Sequence, residues 1–312
     1  MEVIKIMIRH RHMFARIYYL YAEQWSNNMN IFNNPDWIKQ FKYPYGSFNE
    51  IPQSVFDDIN AGLDKIQSGT PLASIVITAW NEEVDIIRTV GSLSKLQTKI
   101  PLEVIVVNNN STDRTQDTLN KLHIKSFFQP KQGWGPGRQM GMDNAQGKYI
   151  LLADSDCIYP SCWADNLMNA LQKPGVVSVY GRYSFIEEPG FPRWQLSILE
   201  TLKDAIAEVR HIKKPYLNSY GMSMGFVKEY GLIEKFYNNN TRGEDGRMCF
   251  DLMKYGKVRQ VRSNKSRVWT GPRTLKKEGS FIQVLTTRLL KEVKRLSIYF
   301  HRRVKYHAPK DL

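Results

Sequence analysis

Two carboxylates one residue apart, Asp154 and Asp156, follow directly on the apolar run Tyr149-Ile150-Leu151-Leu152-Ala153. Carboxylates at alternate positions just past a strand end converge on one hard cation, and magnesium or manganese held in this way is the usual partner of a diphosphate. A nucleotide-sugar ligand is therefore the first chemistry to consider. Taken alone, Asp154-Ser155-Asp156 is also ordinary turn and helix-cap chemistry, with the segment around Trp163 as the helix to be capped. The elements on either side decide between the two.

Residues 72–79 form a β-branched run suited to a buried parallel strand, and Asn81-Glu82-Glu83 opens a helix with Val84, Ile87, Val90 and Leu93 on one face. A second buried strand, residues 102–107, ends in Asn108-Asn109-Asn110, and Ser111-Thr112-Asp113 begins a helix running to Leu122. A short strand is expected at 124–128. A glycine-rich loop then holds Gly133, Gly135 and Gly137, and a helix from Arg138 to Gln146 ends at Gly147 as a left-handed cap. The strand that carries Asp154 and Asp156 comes next. This alternation predicts an α/β fold, a mainly parallel sheet with helices on both faces, whose ligands sit beyond the carboxyl ends of the strands. Those ends are Thr78 to Glu82, Asn108 to Asn110, and Asp154 to Asp156. Past Pro160 the pattern weakens to a strand at 176–183, a helix at 194–210, a Gly- and Met-rich stretch at 219–226, and a helical pattern after Arg242-Gly243-Glu244-Asp245.

The composition, 42% hydrophobic and 12% aromatic over 312 residues, describes a globular chain with a sizeable core. No apolar stretch approaches the roughly 18 to 20 residues of a membrane-spanning helix. Cys157, Cys162 and Cys249 are odd in number and lack metal-site spacing, which predicts reduced core thiols in the cytoplasm. The amino-terminal segment lacks the pattern of a secretory leader, and Met29 is a second candidate for the start of the chain. Of the net charge of +14, residues 273–312 hold 11 Lys and Arg against three acids, a local +8. There Phe281, Leu285, Leu289, Val293, Leu296 and Phe300 recur at helical spacing among Arg288, Lys291, Lys294 and Arg295, and Ser280 with Gln283 forms a capping box. This basic amphipathic tail either docks its apolar stripe on the core or adsorbs to an anionic membrane surface.

These motifs in order resemble the family-2 glycosyltransferases of the GT-A fold, over about 200 residues, from Pro71 to Arg273. The matching stretches are Thr78-Ala79-Trp80-Asn81-Glu82, Asn108-Asn109-Asn110-Ser111-Thr112-Asp113, Gly137-Arg138-Gln139-Met140-Gly141, Asp154-Ser155-Asp156 and Glu244-Asp245. The resemblance implies a catalytic domain at 71–273 between an extension at 1–70 and the tail at 274–312. It implies inverting transfer of a sugar from a nucleotide-diphosphate donor, a UDP-sugar first, to a hydroxyl of a glycan or lipid-linked acceptor. Donor binding falls to Thr78, Trp80, Glu82, Asn108, Asn109, Arg138, Asp154 and Arg273. A manganese or magnesium ion falls to Asp156 with Asp154, and the base to Asp245 beside Glu244. Arg138 is read as reaching a phosphate or the nucleotide, with a surface salt bridge as the alternative. Where the family carries aspartate facing the base, this chain has Asn109, which can both accept and donate, and the family's tyrosine is Trp80.

Other readings fit less well. A nucleotidyltransferase places a basic glycine-rich loop after its first strand, where this chain has Trp80-Asn81-Glu82-Glu83. A dinucleotide-binding oxidoreductase needs Gly-x-Gly-x-x-Gly at that turn, and the Gly133 cluster has neither the spacing nor the place. A nucleic-acid-binding protein needs a basic groove with interleaved aromatics, whereas the excess charge here lies on one terminal helix. No nucleic-acid partner is expected, and the chain is placed at the cytoplasmic face of a membrane.

Overall fold

The computed structural model describes residues 32–237 and 243–300. The alternative start at Met29 and the end of the basic tail lie outside the described residues. A helix α1 (Gln53–Ile66) precedes the sheet. Then follow β1 (Ala73–Ala79), α2 (Asp85–Leu93), β2 (Leu102–Asn108), α3 (Thr115–Asn120), β3 (Lys125–Phe128), α4 (Trp134–Asp143) and β4 (Tyr149–Asp154). The second half contains β5 (Cys157–Ile158), α5 (Trp163–Leu171), β6 (Val176–Tyr180), β7 (Tyr183–Phe185) and α6 (Arg193–Lys213). It closes with β8 (Met224–Val227), α7 (Lys228–Glu234), α8 (Glu244–Leu252), β9 (Lys257–Gln260), β10 (Val268–Thr270), α9 (Arg273–Glu278) and α10 (Phe281–Phe300).

Seven strands form one sheet in the order β3-β2-β1-β4-β8-β6-β9, parallel from β3 to β4, with β8 antiparallel to both of its neighbours. Strand alternation sends Ile75, Ile77, Val104, Val106 and Leu151 to one core, where Phe56, Ile59, Val90 and Trp163 from α1, α2 and α5 meet them. The intervening Val76, Ile105, Val107, Ile150 and Leu152 pack on the other side against Met142, Met248 and Leu252 from α4 and α8. Both faces are covered, which is why these strands read as continuous apolar runs. Each aliphatic side chain so buried contributes about 1.5–3 kcal/mol.

Chain order reverses at β1: β2 and β3 extend the sheet to one side, and β4 returns to the other. A crevice opens outside the strand tips at such a reversal. Register pairs Thr78 with Asp154, and Ala79 with Asn108, so the three tips end at one level. A second sheet, β5-β10-β7, pairs Thr270 with Cys157 and thereby carries the segment leading to Arg273 alongside Asp156.

Three expectations are corrected. The glycine-rich segment is the first turn of α4, where Pro136 needs no intrahelical donor and Gly137 N–H bonds Gly133 O at 3.1 Å. Gly147 is no left-handed cap, since α4 ends at Asp143. The reason for glycine there is proximity: a Cβ would lie 2.7 Å from the backbone of Ala73 and Ser74. Thr115, rather than Ser111, starts α3, because Ser111, Thr112 and Asp113 are engaged by the neighbouring loop.

Candidate active site

The loop after β1 is tied to the loop after β2 by side chains that stand in for missing secondary structure. Asn81 sits at φ +54°, and its Oδ1 accepts the Thr112 N–H at 2.8 Å. The N–H groups of Asn81, Glu82 and Glu83 donate to Ser111 Oγ, Thr115 Oγ1 and Asp113 Oδ2 at 3.0, 2.9 and 3.2 Å. This lattice holds Trp80 at the tip of β1 with half its surface exposed. It also fixes Asn108, whose Oδ1 accepts the Ser111 N–H and whose Nδ2 donates to Gln116 Oε1, both at 2.9 Å. Both halves of that amide are engaged, so Asn108 shapes the turn. Asn109 lies beside it, its N–H on Ala79 O at 2.8 Å and its Oδ1 accepting Gly133 N–H at 3.0 Å. Thr78 Oγ1 and Glu82 Oε2 are buried without a protein partner. Orphaned buried polar atoms at strand tips are where a polar ligand gains most.

At the tip of β4 an arginine gathers three acids. Arg138, buried on α4, donates through Nη1 to Glu244 and Asp245 and through Nη2 to Asp154 Oδ1 at 3.1 Å. Asp245 Oδ2 accepts the Gly221 N–H at 2.8 Å. Gly221 admits no side chain, because a Cβ there would strike the Arg138 guanidinium. Asp154 N–H donates to Tyr159 Oη at 2.9 Å, and Tyr159 in turn donates to Met222 O at 3.1 Å. The guanidinium read from sequence as a phosphate or nucleotide contact is thus turned inward onto carboxylates.

Asp156 faces the opposite wall. Arg273 Nη2 lies 2.8 Å from Asp156 Oδ2, and the same guanidinium reaches Glu82 Oε1 at 3.3 Å and Asp85 Oδ2 at 3.8 Å. Asp154, Asp156 and Cys157 each offer a ligand atom, all within 4.8 Å of one another. Both carboxylates already draw a guanidinium, Arg138 onto Asp154 and Arg273 onto Asp156, and their oxygens are the ligand type that a hard divalent ion requires. The Cys157 thiol is buried, and burial pushes its pKa well up, so it remains protonated beside them.

The electrostatics follow from crowding acids in a desolvated cleft. Burial pushes Asp154 up to about 6 against the pull of Arg138, with Asp156 adding to the rise. Burial and then Asp245 push Glu244 up to about 7, and burial pushes Glu82 up to about 8 in spite of Arg273. All three values lie above the ordinary 3.8 or 4.5, so between about pH 4 and 8 these three groups bind more protons in the folded chain than in the unfolded one. Their contribution to stability therefore falls as pH rises through that window, and Lys203, pushed down by burial to about 8, opposes it only near the upper end. Without divalent cation, the melting temperature should drop by a few degrees from pH 6 to pH 8. Manganese, by favouring the ionised carboxylates, should flatten the profile. Scanning fluorimetry at both pH values with and without manganese checks this, and a cation-free profile that rises with pH would contradict the clustering.

Comparison with known proteins now bears on the arrangement. The profile described as Glycosyl transferase family 2 matches residues 74–236, more than half of the chain. The chain belongs to this family. An uncharacterized glycosyltransferase of Haemophilus influenzae is 31% identical to this family-2 glycosyltransferase chain over 127 residues, 38% of this chain and 50% of that protein. The Escherichia coli protein WfaP, named a UDP-Glc:alpha-D-GlcNAc-diphosphoundecaprenol beta-1,3-glucosyltransferase, is 31% identical over 121 residues, 38% of this chain and 47% of WfaP. The chain therefore spans half or less of the length of these relatives. Among solved structures, the mannosyltransferase PcManGT of Pyrobaculum calidifontis, in complex with GDP-Man and Mn2+, superposes with a TM-score of 0.50 at 15% identity. That match covers 89% of this chain and 76% of PcManGT. Staphylococcus aureus TarS with UDP-GlcNAc gives 0.50 at 16% identity over 64% of this chain and 58% of TarS. The fold of this family-2 chain is GT-A, as its motifs imply.

The strand tips bring together Thr78, Trp80, Glu82, Asn109, Asp154, Asp156 and Arg273, and Arg138 links Asp154 to Glu244 and Asp245. Sequence reasoning did not find Tyr159, Gly221 or Asp85. Each acts through a tertiary neighbour, and only the crowding at Gly221 leaves a trace, as a glycine with no turn to explain it.

Proposed function

We propose that this chain transfers a sugar from a nucleoside-diphosphate donor to a hydroxyl of a glycan or lipid-linked acceptor, with inversion, at the cytoplasmic face of a membrane. The observation that carries the reading is the join through Arg138: Asp154, level with Thr78 at the donor side, shares one guanidinium with Asp245. Donor and acceptor chemistry are thereby held in one crevice.

In this reading the base rests against Trp80 with Asn109 at its edge, and Thr78 and Glu82 supply polar contacts. Asp156 and Asp154 hold a manganese or magnesium ion, which supplies positive charge for the leaving diphosphate when bound. Arg273, already across the cleft, adds a second positive charge on the same side. Asp245 has lone pairs beyond those given to Arg138 and Gly221 and takes the acceptor proton as the hydroxyl oxygen bonds to the anomeric carbon. The bond to the diphosphate oxygen breaks in the same displacement, which inverts the centre. WfaP and TarS are named or shown with uridine nucleotides and PcManGT with a guanosine one, so a UDP-sugar is the first donor to test.

The test is a thermal-shift panel of nucleotide sugars with manganese, followed by transfer assays on the stabilising donor. Asp245→Asn should lower transfer by about 10²–10⁴-fold with donor affinity unchanged. Wild-type transfer by that variant would remove Asp245 as base. Failure of every nucleotide sugar to stabilise the chain would remove the donor reading itself.

A further inference from the structure

Helix α6 is built inside out. Its three acids turn inward: Glu200 forms a two-pronged pair with buried Arg193 at 2.8 and 2.9 Å, Asp204 pairs with Arg267 at 2.6 Å, and Glu208 pairs with Arg182 at 3.0 Å and Arg262 at 2.9 Å. Meanwhile Trp194, Ile198, Leu202, Ile206, Val209 and Ile212 follow at steps of four and three residues, one stripe along the helix. That stripe points outward: Trp194 is 44% exposed, Ile198 46% and Ile212 56%, with Leu202 and Ile206 half-buried. A helix facing water does the reverse, because burying ions is costly and exposing aliphatics gains nothing.

Helix α10 lies beside it. The rings of Trp194 and Phe281 meet edge to face at 5.9 Å near both starts, and Arg210 pairs with Glu292 further on, so the helices run side by side in the same direction. Val284 is fully buried in the seam with Leu196 and Leu199, while Ile282 and Leu290 remain 69% and 60% exposed. Exposed Lys213 ends α6, and exposed Lys277 lies just before α10. The sequence from 273 to 312 carries a net +8. Among the described residues no helix is long and apolar enough to cross a membrane.

We propose that α6 and α10 together form a docking face that lies flat on an anionic lipid bilayer. The apolar stripes enter the headgroup boundary, the indole of Trp194 sits at the interface, and exposed Lys213 and Lys277 meet lipid phosphates. The tail helix is thus half of the surface, and a helix from the middle of the chain is the other half. In this proposal the core-docking and membrane readings of the tail apply to different sides of α10. This inference extends the membrane placement in the proposed function without resting on the transfer chemistry, since lipid binding is measured with no donor present.

The experiment is co-sedimentation of the full chain with phosphatidylcholine vesicles, with and without phosphatidylglycerol, at low and high salt. The wild type should partition to the anionic vesicles and be largely released by salt. Ile198→Glu combined with Ile212→Glu should lower the partition coefficient at least about tenfold with the melting temperature unchanged. Brominated phosphatidylglycerol should quench tryptophan fluorescence, and Trp194→Phe should remove most of that quenching. If the double variant does lose stability, the quenching result alone decides. Unchanged partition of a folded double variant, or quenching that survives Trp194→Phe, overturns the proposal. So does a dimer in light scattering that the double variant dissolves, for then a second copy covers the stripe.

Discussion

Asp156→Ala should lower sugar transfer by about 10³-fold or more and remove the high-affinity manganese binding that the proposed reaction requires, with little change in melting temperature. The size follows from the proposed role: removing one preorganised group that stabilises developing charge costs about 10²–10³ in rate, and in the proposed reaction a cation would be lost with it. The fold is spared because Asp156 is partly exposed in the turn after β4 and its ion pair with half-exposed Arg273 is worth little to stability. The same substitution frees Arg273 from one of its three acids. If Arg273 alone neutralised the diphosphate, Asp156→Ala would retain most of its activity, and neither it nor the wild type would depend on manganese. Manganese titration by electron paramagnetic resonance beside a transfer assay separates these outcomes. Wild-type manganese affinity in the variant would end the ligand assignment. Asp154→Ala is a poorer probe, since Asp154 also neutralises Arg138.

What the sequence made legible were the elements whose two faces are both buried. β1, β2 and β4 announce themselves as β-branched runs because each side chain meets a core. Their polar ends stand out against that background, and this is why Thr78, Asn109, Asp154 and Asp156 are legible in the sequence as strand-tip residues. β8 was not legible: Met224-Gly225-Phe226-Val227 is short and unpatterned, and its place between β4 and β6 is set by antiparallel pairing with strands far back in the chain, Leu152 with Met224 and Tyr180 with Met224. The small sheet β5-β10-β7 was missed for the same reason, since strands of two or three residues carry no period. Yet it is this sheet that delivers Arg273 to Asp156. α6 illustrates a subtler limit. Its outer stripe and the inner Leu196 and Leu199 both have helical spacing, and spacing alone cannot tell which stripe meets the core. Only the inward salt bridges do. Two readings of Arg138, a phosphate or nucleotide contact and a salt bridge, stay open in the sequence because Glu244 and Asp245, with which it pairs beside the nearer Asp154, stand more than 100 residues downstream.

Arg138→Gln should therefore be a stability variant before it is an activity variant. The guanidinium is buried against Asp154, Glu244 and Asp245, and removing it leaves three carboxylates crowded in a cleft with no countercharge. Breaking a buried ion pair costs about 3–5 kcal/mol, which for a chain of this size lowers the melting temperature by on the order of 10 °C. The pH dependence gives the cause away. Asp154 and Glu244 already titrate near 6 and 7 with Arg138 present, and their values must rise further without it. Protonation then relieves the repulsion, so the deficit of the variant should shrink as pH falls from 8 to 6. Adding Glu244→Gln should recover part of the loss, a non-additivity expected only of groups in one network. Arg138→Lys should fall between, because a point charge cannot fork to three acceptors. A phosphate-binding arginine behaves otherwise: its loss raises KM for the donor and leaves the melting curve and its pH dependence where they were. Unchanged melting of Arg138→Gln at pH 8 would thus return Arg138 to the donor, and would separate Asp245 from the strand tips on which the proposed reaction depends.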